Sequence, residues 1–96
     1  MNMIKKQIKF NPELAMRAWK ESPNAKVYYR LYTRDGSPVT PVALRKEGMY
    51  RFVGKTSSMF DPKLITTNYW MADGRFIGGL SSCHMDLELY KILDYD

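Results

Sequence analysis

The sequence predicts a single α+β domain, namely a curved antiparallel β-sheet or small open barrel of about six or seven short strands with one helix after the first strand. Most segments alternate apolar and polar residues, as half-buried strands do. Two Asp-Gly pairs, at residues 35–36 and 73–74, favour hairpin turns. A chain of 96 residues has room for one core, so residues 1–96 are expected to form one domain.

The first predicted strand covers residues 4–10, which read IKKQIKF. Ile4, Ile8 and Phe10 share one parity, and Lys5 and Lys9 share the other. This alternation predicts a strand with one buried and one solvated face.

One convincing helix follows this strand. Asn11 is a good N-cap and Pro12 fits the first helical position. An apolar stripe at helical spacing comprises Leu14, Ala15, Ala18 and Trp19. We expect Trp19 to dock this stripe on the sheet, and the helix to end at residues 22–24 because the residue before a proline avoids the helical region.

The remaining strands are separated by recognisable turns. Strands are predicted within residues 26–33, 38–44, 49–55, 66–71 and 85–93, with loops at 56–63 and 78–83 and the start of a return strand at 75–77. Pro38 and Pro41 remove two hydrogen-bond donors, which predicts an edge or bulged strand. The segments YTRDGSPV and WMADGRFI share the spacing of their aromatic, Asp-Gly and apolar residues, which indicates two hairpins of similar geometry.

An ordered series of short motifs runs through residues 8 to 90: FNPELA, Y-TRDG-PV, YRFVGK, W-ADGRF and DLEL. The series resembles a group of small uncharacterised proteins encoded by phages and mobile elements of Bacteroidota-type bacteria. In that group a proline-containing strand is more usual where YRFVGK stands here. The resemblance implies a bacterial host cell as the setting and the same small fold.

Composition and charge limit the compartment and the partners. A single cysteine cannot form an internal disulfide, which favours a reducing compartment. The N-terminal segment lacks the apolar run of a signal peptide, and no stretch approaches the ~20 apolar residues of a membrane span. We therefore expect a cytoplasmic protein without membrane association. Residues 1–55 carry 12 Lys/Arg and four Asp/Glu, so a polyanion would be steered to this half.

The sequence contains no conventional catalytic or metal-binding set. Cys83 and His84 are the only cysteine and histidine, and adjacent side chains of an extended segment point to opposite faces. Gly78-Gly79 lacks the pattern of a phosphate loop. Asp86 and Glu88 share one face of a predicted strand, and a solvated face opposite Leu87 and Leu89 explains their spacing. We therefore predict no enzymatic activity, no cofactor and no metal.

The best candidate for a ligand-binding surface is a basic-aromatic strand face. Lys26, Tyr28, Arg30 and Tyr32 alternate with apolar residues and offer charge to phosphates and rings to bases. A solvated face of a β-protein has the same pattern. Arg34 lies at the neighbouring turn, and Arg51 and Lys55 share one parity on a later strand, so one sheet face becomes a basic-aromatic platform if these strands pair. The predicted ligand-binding residues are Lys26, Tyr28, Arg30, Tyr32, Arg34, Arg51, Lys55 and, as one aromatic contact outside this face, Trp70.

Three function classes follow. The first is a non-enzymatic phage or mobile-element accessory protein that binds a host protein, for which interference with host defence is one use. The second is a nucleic-acid or nucleotide binder, including a sponge for a signalling nucleotide, that uses the basic-aromatic face. The third is an enzyme, which the missing catalytic set disfavours. Self-association is compatible with the exposed edges of a small sheet.

Overall fold

The computed structural model describes residues 2–21, 24–57, 61–76 and 82–95. Its strands are β1 (Asn2–Ile8), β2 (Val27–Thr33), β3 (Val39–Leu44), β4 (Phe52–Ser57), β5 (Ile65–Trp70) and β6 (Leu87–Tyr95). Helix α1 (Pro12–Ala15) follows β1, and a 3-10 turn (Ser82–Met85) precedes β6. The predicted antiparallel α+β fold with one helix after the first strand is confirmed.

The six strands form two three-stranded antiparallel sheets. Sheet A has the order β1-β6-β2 and sheet B has the order β3-β4-β5. β3 lies at an edge of sheet B, and its register shifts between Pro41 and Ala43. The prediction of an edge or bulged strand from the two prolines is therefore confirmed in both respects.

Helix α1 begins as predicted and ends early. The backbone N–H of Leu14 donates to the Asn11 side chain at 3.1 Å, so Asn11 caps the helix. After Ala15 the chain continues in tighter turns, with the N–H of Ala18 donating to the Ala15 carbonyl at 3.1 Å. Ala15 and Ala18 are buried and attach this segment to the core. Among the described residues no helix is long and apolar enough to cross a membrane.

Trp19 does not dock the helix stripe, and that expectation is corrected. Its φ of 65° takes the chain out of the helical region, and 38% of the residue is exposed. Its backbone N–H donates to the Tyr29 carbonyl on the free edge of β2 at 3.1 Å. Its indole N–H donates to the Val39 carbonyl at 2.8 Å, so the residue bridges sheet A and sheet B.

We expect Trp19→Ala to lower the free energy of unfolding by about 2 kcal/mol, through loss of this hydrogen bond and of an edge-to-face contact with Tyr32. A fully buried tryptophan would cost about 3–5 kcal/mol. Denaturant unfolding distinguishes the two values. Trp19→Phe is the control, because it keeps an aromatic ring and removes the indole N–H.

The core lies between the sheets. Its largest fully buried side chains are Trp70, Phe52, Leu31, Leu89, Val39 and Thr33. Phe10 packs edge-on against Phe52 with ring centroids 5.7 Å apart, and Phe52 packs against Trp70 at 6.2 Å. The aromatic residues of sheet B belong to one core cluster with Leu31 and Leu89 of sheet A and with Ala15 at the end of α1.

The two Asp-Gly turns have the same hydrogen-bond pattern, as their matching sequences predict. In the first turn the N–H of Gly36 donates to the Thr33 carbonyl at 2.9 Å. In the second turn the N–H of Gly74 donates to the Met71 carbonyl at 2.9 Å. The hairpin predicted at the first turn is corrected, because β2 belongs to sheet A and β3 to sheet B. Strand pairing across this turn is limited to the bridge between Tyr32 and Pro38. The predicted return strand at 75–77 extends beyond the described residues, and residues 75 and 76 are not in a strand.

Candidate binding site

Sheet A has one face toward the core and one face away from it, and the second face carries the predicted platform. Cross-strand pairing sets Arg30 opposite Tyr90 and Tyr32 opposite Glu88. It also sets Tyr28 and Lys5 on either side of Ile92. Because directly paired residues point to the same face, all three strands contribute to this outer face.

Four aromatic rings and two cations pack together there, and we call this group the aromatic cluster: Trp19, Tyr28, Tyr32, Tyr90, Lys5 and Arg30. The Tyr32 ring contacts Trp19 at a centroid distance of 5.5 Å and Tyr90 at 5.7 Å, both edge-to-face. The Lys5 ammonium lies 4.9 Å from the Tyr32 centroid and 4.6 Å from that of Tyr90. The Arg30 guanidinium lies 4.9 Å from the Trp19 ring and 5.8 Å from the Tyr28 ring.

Carboxylates neutralise the arginines of this face. Arg30 forms an ion pair with Glu21. Arg34 lies 3.7 Å from a carboxylate oxygen of Glu88 and 4.0 Å from one of Asp86. The face is therefore rich in aromatic surface and its arginines are balanced by carboxylates, whereas Lys5 has no ion pair within the described ranges.

The structure divides the predicted site residues between the two sheets. Tyr28, Arg30, Tyr32 and Arg34 lie along β2 and the turn after it, and Lys26 is exposed just before β2. Lys55 lies on β4 between Thr40 and Thr67, and Arg51 precedes that strand, so neither adjoins the face of sheet A. The expectation of one continuous platform including these two residues is corrected, because β4 belongs to sheet B.

Trp70 is a core residue. It has no exposed area, and its indole N–H donates to the Met85 carbonyl at 2.7 Å. A ligand at the surface of this structure does not reach the ring, so Trp70 is not part of the candidate site.

Lys5, Trp19 and Tyr90 complete the cluster and were not predicted. A signal for Tyr90 exists in the sequence, because Tyr90 alternates with Leu87 and Leu89 and so belongs to the non-core face of the last strand. The position of that strand between β1 and β2 brings Lys5 to Tyr32, and alternation alone carries no information on strand order.

Two titratable groups near this face have shifted pKa values. Burial, followed by the hydrogen bond that the Tyr90 hydroxyl donates to Glu88 at 3.1 Å, raises the pKa of Tyr90. In the first Asp-Gly turn, the hydrogen bond from the Thr33 hydroxyl is the main cause that lowers the pKa of Asp35. Asp35 is therefore held as a carboxylate, and Tyr90 as a neutral phenol.

The lowered pKa of Asp35 predicts a pH-dependent contribution to stability. A depressed folded-state pKa stabilises the protein above the unfolded-state value of about 4 and loses that effect as the pH falls through the folded value. Asp35→Asn should therefore be less stable than the unsubstituted protein at pH 7, and the difference should shrink below about pH 4. Denaturant unfolding at pH 7 and below about pH 4 measures this difference in stability. The same difference at both pH values would contradict the lowered pKa of Asp35.

No group of three or more His, Cys, Asp or Glu side chains in the described part of the chain could hold a metal ion. The backbone of residues 82–85 forms a 3-10 turn, which corrects the extended conformation expected around Cys83 and His84. The Cys83 side chain and residues 77–81, including Gly78 and Gly79, lie outside the described part. Asp86 accepts from the backbone N–H of Phe76 at 2.9 Å, so this carboxylate has a structural role.

A pocket of about 460 Å³ lies on sheet B, away from the aromatic cluster. Its lining comprises Arg45, Tyr50, Asn68, Tyr69 and Phe76. The Arg45 guanidinium lies 5.3 Å from the Tyr69 ring centroid. Within the described ranges Arg45 has no carboxylate partner, in contrast to Arg30 and Arg34. The pocket therefore combines aromatic surface with a cation that is available to an anion.

Comparisons with protein-family models, with curated proteins and with solved structures find no significant match to this chain. The fold and the site define a small two-sheet α+β structure with an aromatic cluster on the outer face of one sheet. The particular ligand has to be argued from the chemistry of that face.

Proposed function

We propose that this protein is a non-enzymatic accessory protein of a phage or mobile element, which binds a host protein in the bacterial cytoplasm through the aromatic cluster. The cluster is the observation that carries the proposal, because tyrosine, tryptophan and arginine are the residues that dominate binding energy at protein interfaces. Interference with host defence is one use that such binding would serve.

The charges around the cluster support a protein ligand over a polyanion. Phosphate recognition needs cations that exchange their counterions for phosphates. Here Arg30 is paired with Glu21, and Arg34 lies beside Glu88 and Asp86. A phosphate chain would face these carboxylates. A protein partner can complement the mixed charges at the rim while it buries the rings.

Affinity capture from a Bacteroidota lysate tests the proposal. The immobilised baits are the unsubstituted protein, Tyr32→Ala and the matched control Tyr69→Ala, which removes an exposed tyrosine from sheet B. A specific partner should bind the unsubstituted protein and the control. Tyr32→Ala should weaken that binding by about 2 kcal/mol or more, since buried aromatic anchors dominate interfaces.

Each bait is first shown to be folded by a cooperative thermal melt. Equal capture of the same protein by Tyr32→Ala and by Tyr69→Ala would overturn the assignment of the cluster. Recovery of nucleic acid alone would overturn the choice of a protein as the ligand.

A second candidate function, nucleotide or single-stranded nucleic-acid binding, is favoured by the Arg45 pocket. Its tyrosines and phenylalanine offer rings for a base, and Arg45 offers a guanidinium for a phosphate. This proposal moves the polyanion site from the predicted face of sheet A to sheet B.

Titration with labelled nucleotides and single-stranded oligonucleotides at two salt concentrations tests the second candidate. Arg45→Ala should weaken binding and flatten its salt dependence, whereas Arg30→Ala should leave both unchanged. No saturable binding at low salt would exclude this function. A loss confined to Arg30→Ala would return the site to sheet A.

A further inference from the structure

The face of sheet A that packs on the core extends beyond the core. At the end of the sheet that holds the start of β2 and the end of β6, this face is exposed. Ile4 and Val27 lie on either side of Leu93 in one cross-strand row. These three aliphatic residues are 37–44% exposed although they share a face with the buried Leu31 and Leu89. Sheet A thus presents an apolar row that the described part of sheet B does not cover.

The next row toward the core is basic. Lys6 lies directly opposite Lys91, and Lys91 lies opposite Tyr29 on its other side. The Arg17 guanidinium lies 5.5 Å from the Tyr29 ring centroid. Like charges directly opposite each other destabilise a sheet, so the pairing of Lys6 with Lys91 lowers the stability of the fold. A role in binding would account for it.

A hollow of about 240 Å³ adjoins these rows. Its lining comprises Arg17, Lys20, Glu21, Ala25, Val27 and Tyr29. The carboxylate of Glu21 is engaged in the ion pair with Arg30 on the other side of β2. Across the described ranges, none of Lys6, Arg17, Lys20 and Lys91 has an ion-pair partner.

We propose that this surface, which we call the inner patch, binds an acidic amphipathic peptide segment of a partner protein. The inner patch comprises Ile4, Val27, Leu93, Lys6, Lys91, Arg17 and Lys20. Carboxylates of the segment pair with Lys6, Lys91 and Arg17, and an aliphatic side chain packs on the Ile4–Leu93–Val27 row. Such a segment relieves the repulsion between the lysines and removes apolar surface from water at the same time.

The aliphatic row and the basic row lie next to each other, and this arrangement favours an acidic amphipathic peptide over a nucleic acid. A nucleic acid would use the cations and leave the aliphatic row exposed, since it offers phosphates and flat bases. An acidic peptide with alternating apolar residues matches both rows, which lie next to each other along each strand. Charge complementarity and apolar contact are therefore satisfied by one extended chain.

This inference is independent of the proposed function, because the inner patch and the aromatic cluster lie on opposite faces of sheet A. Loss of one surface leaves the other in place. A Tyr90→Ala variant, altered only on the outer face, should bind the acidic peptide as the unsubstituted protein does.

Fluorescence anisotropy with three labelled peptides tests the inner patch. The first alternates leucine and glutamate, the second serine and glutamate, and the third leucine and lysine. We expect saturable binding of the first, roughly tenfold weaker binding of the second, and none of the third. Equal binding of the first and second peptides would show simple charge attraction and overturn the proposal.

Charge-reversal variants locate the binding. Lys6→Glu/Lys91→Glu should lower the affinity for the leucine-glutamate peptide by at least about tenfold. The matched control, Lys46→Glu/Lys63→Glu, changes the net charge equally at exposed positions outside the patch and should have a much smaller effect. Equal losses in the two variants overturn the proposal. Leu93→Ser keeps the charges and should weaken binding through the apolar row alone, and unchanged affinity in that variant would also overturn it.

Discussion

Trp70→Ala should lower the free energy of unfolding by about 3–5 kcal/mol, which is the largest loss we expect from one side chain. Trp70 has no exposed area, packs against Phe52 and Phe76, and donates its indole N–H to the Met85 carbonyl. The substitution leaves a cavity between the sheets and an unpaired carbonyl. Since small domains are stable by about 5–15 kcal/mol, this loss approaches complete unfolding.

Denaturant unfolding measures the effect, and Tyr69→Ala is the matched control. Tyr69 precedes Trp70 on β5, points to the other side of the strand and is 42% exposed. Its removal should cost less than about 1 kcal/mol. Comparable losses at both positions would mean that Trp70 is not the centre of the core.

Gly74→Ala should destabilise the protein by roughly 2–5 kcal/mol, for two separate reasons. Gly74 has a φ of 88°, where an alanine is strained. An added Cβ would also meet the Phe10 ring at 2.8 Å. Phe10 packs edge-on against Phe52, so its ring is held in place by the core.

Gly36 provides a control with the same turn. Its φ is 94°, its turn has the same hydrogen-bond pattern, and an added Cβ would meet nothing within 4 Å. Gly36→Ala should therefore cost only the backbone strain, about 1–2 kcal/mol. The difference between the two variants in thermal or denaturant unfolding isolates the Phe10 contact, and equal losses would contradict that contact.

The local features of the fold could be predicted from the sequence because they depend on neighbouring residues. Asn11 and Pro12 specify the helix start, and the two Asp-Gly pairs specify turns with one hydrogen-bond pattern. Pro38 and Pro41 confine β3 to an edge. Each of these signals acts over a few residues, so no knowledge of the rest of the chain is needed.

The candidate site could be predicted only in part, because it depends on strand order. Alternation correctly placed Tyr28, Arg30 and Tyr32 on one face. It could not assign β4 to the other sheet, so Arg51 and Lys55 were grouped with them. It could not insert the last strand between β1 and β2, which brings Lys5 and Tyr90 to the cluster. The sequence predicts Trp70 as a ligand contact and the structure buries it, because residue type alone does not determine the exposure of a side chain.

The order of strands in the two sheets implies different folding histories. Sheet B is built from consecutive strands joined by short connections, so its pairs close small loops and can form early. In sheet A, β1 and β2 do not pair with each other. Both pair with β6, which is separated from β1 by most of the chain, so sheet A forms only after β6 has joined it. The aromatic cluster and the inner patch are therefore assembled in the step of highest contact order. Until that step, the edges of β1 and β2 that later pair with β6 are open to intermolecular pairing.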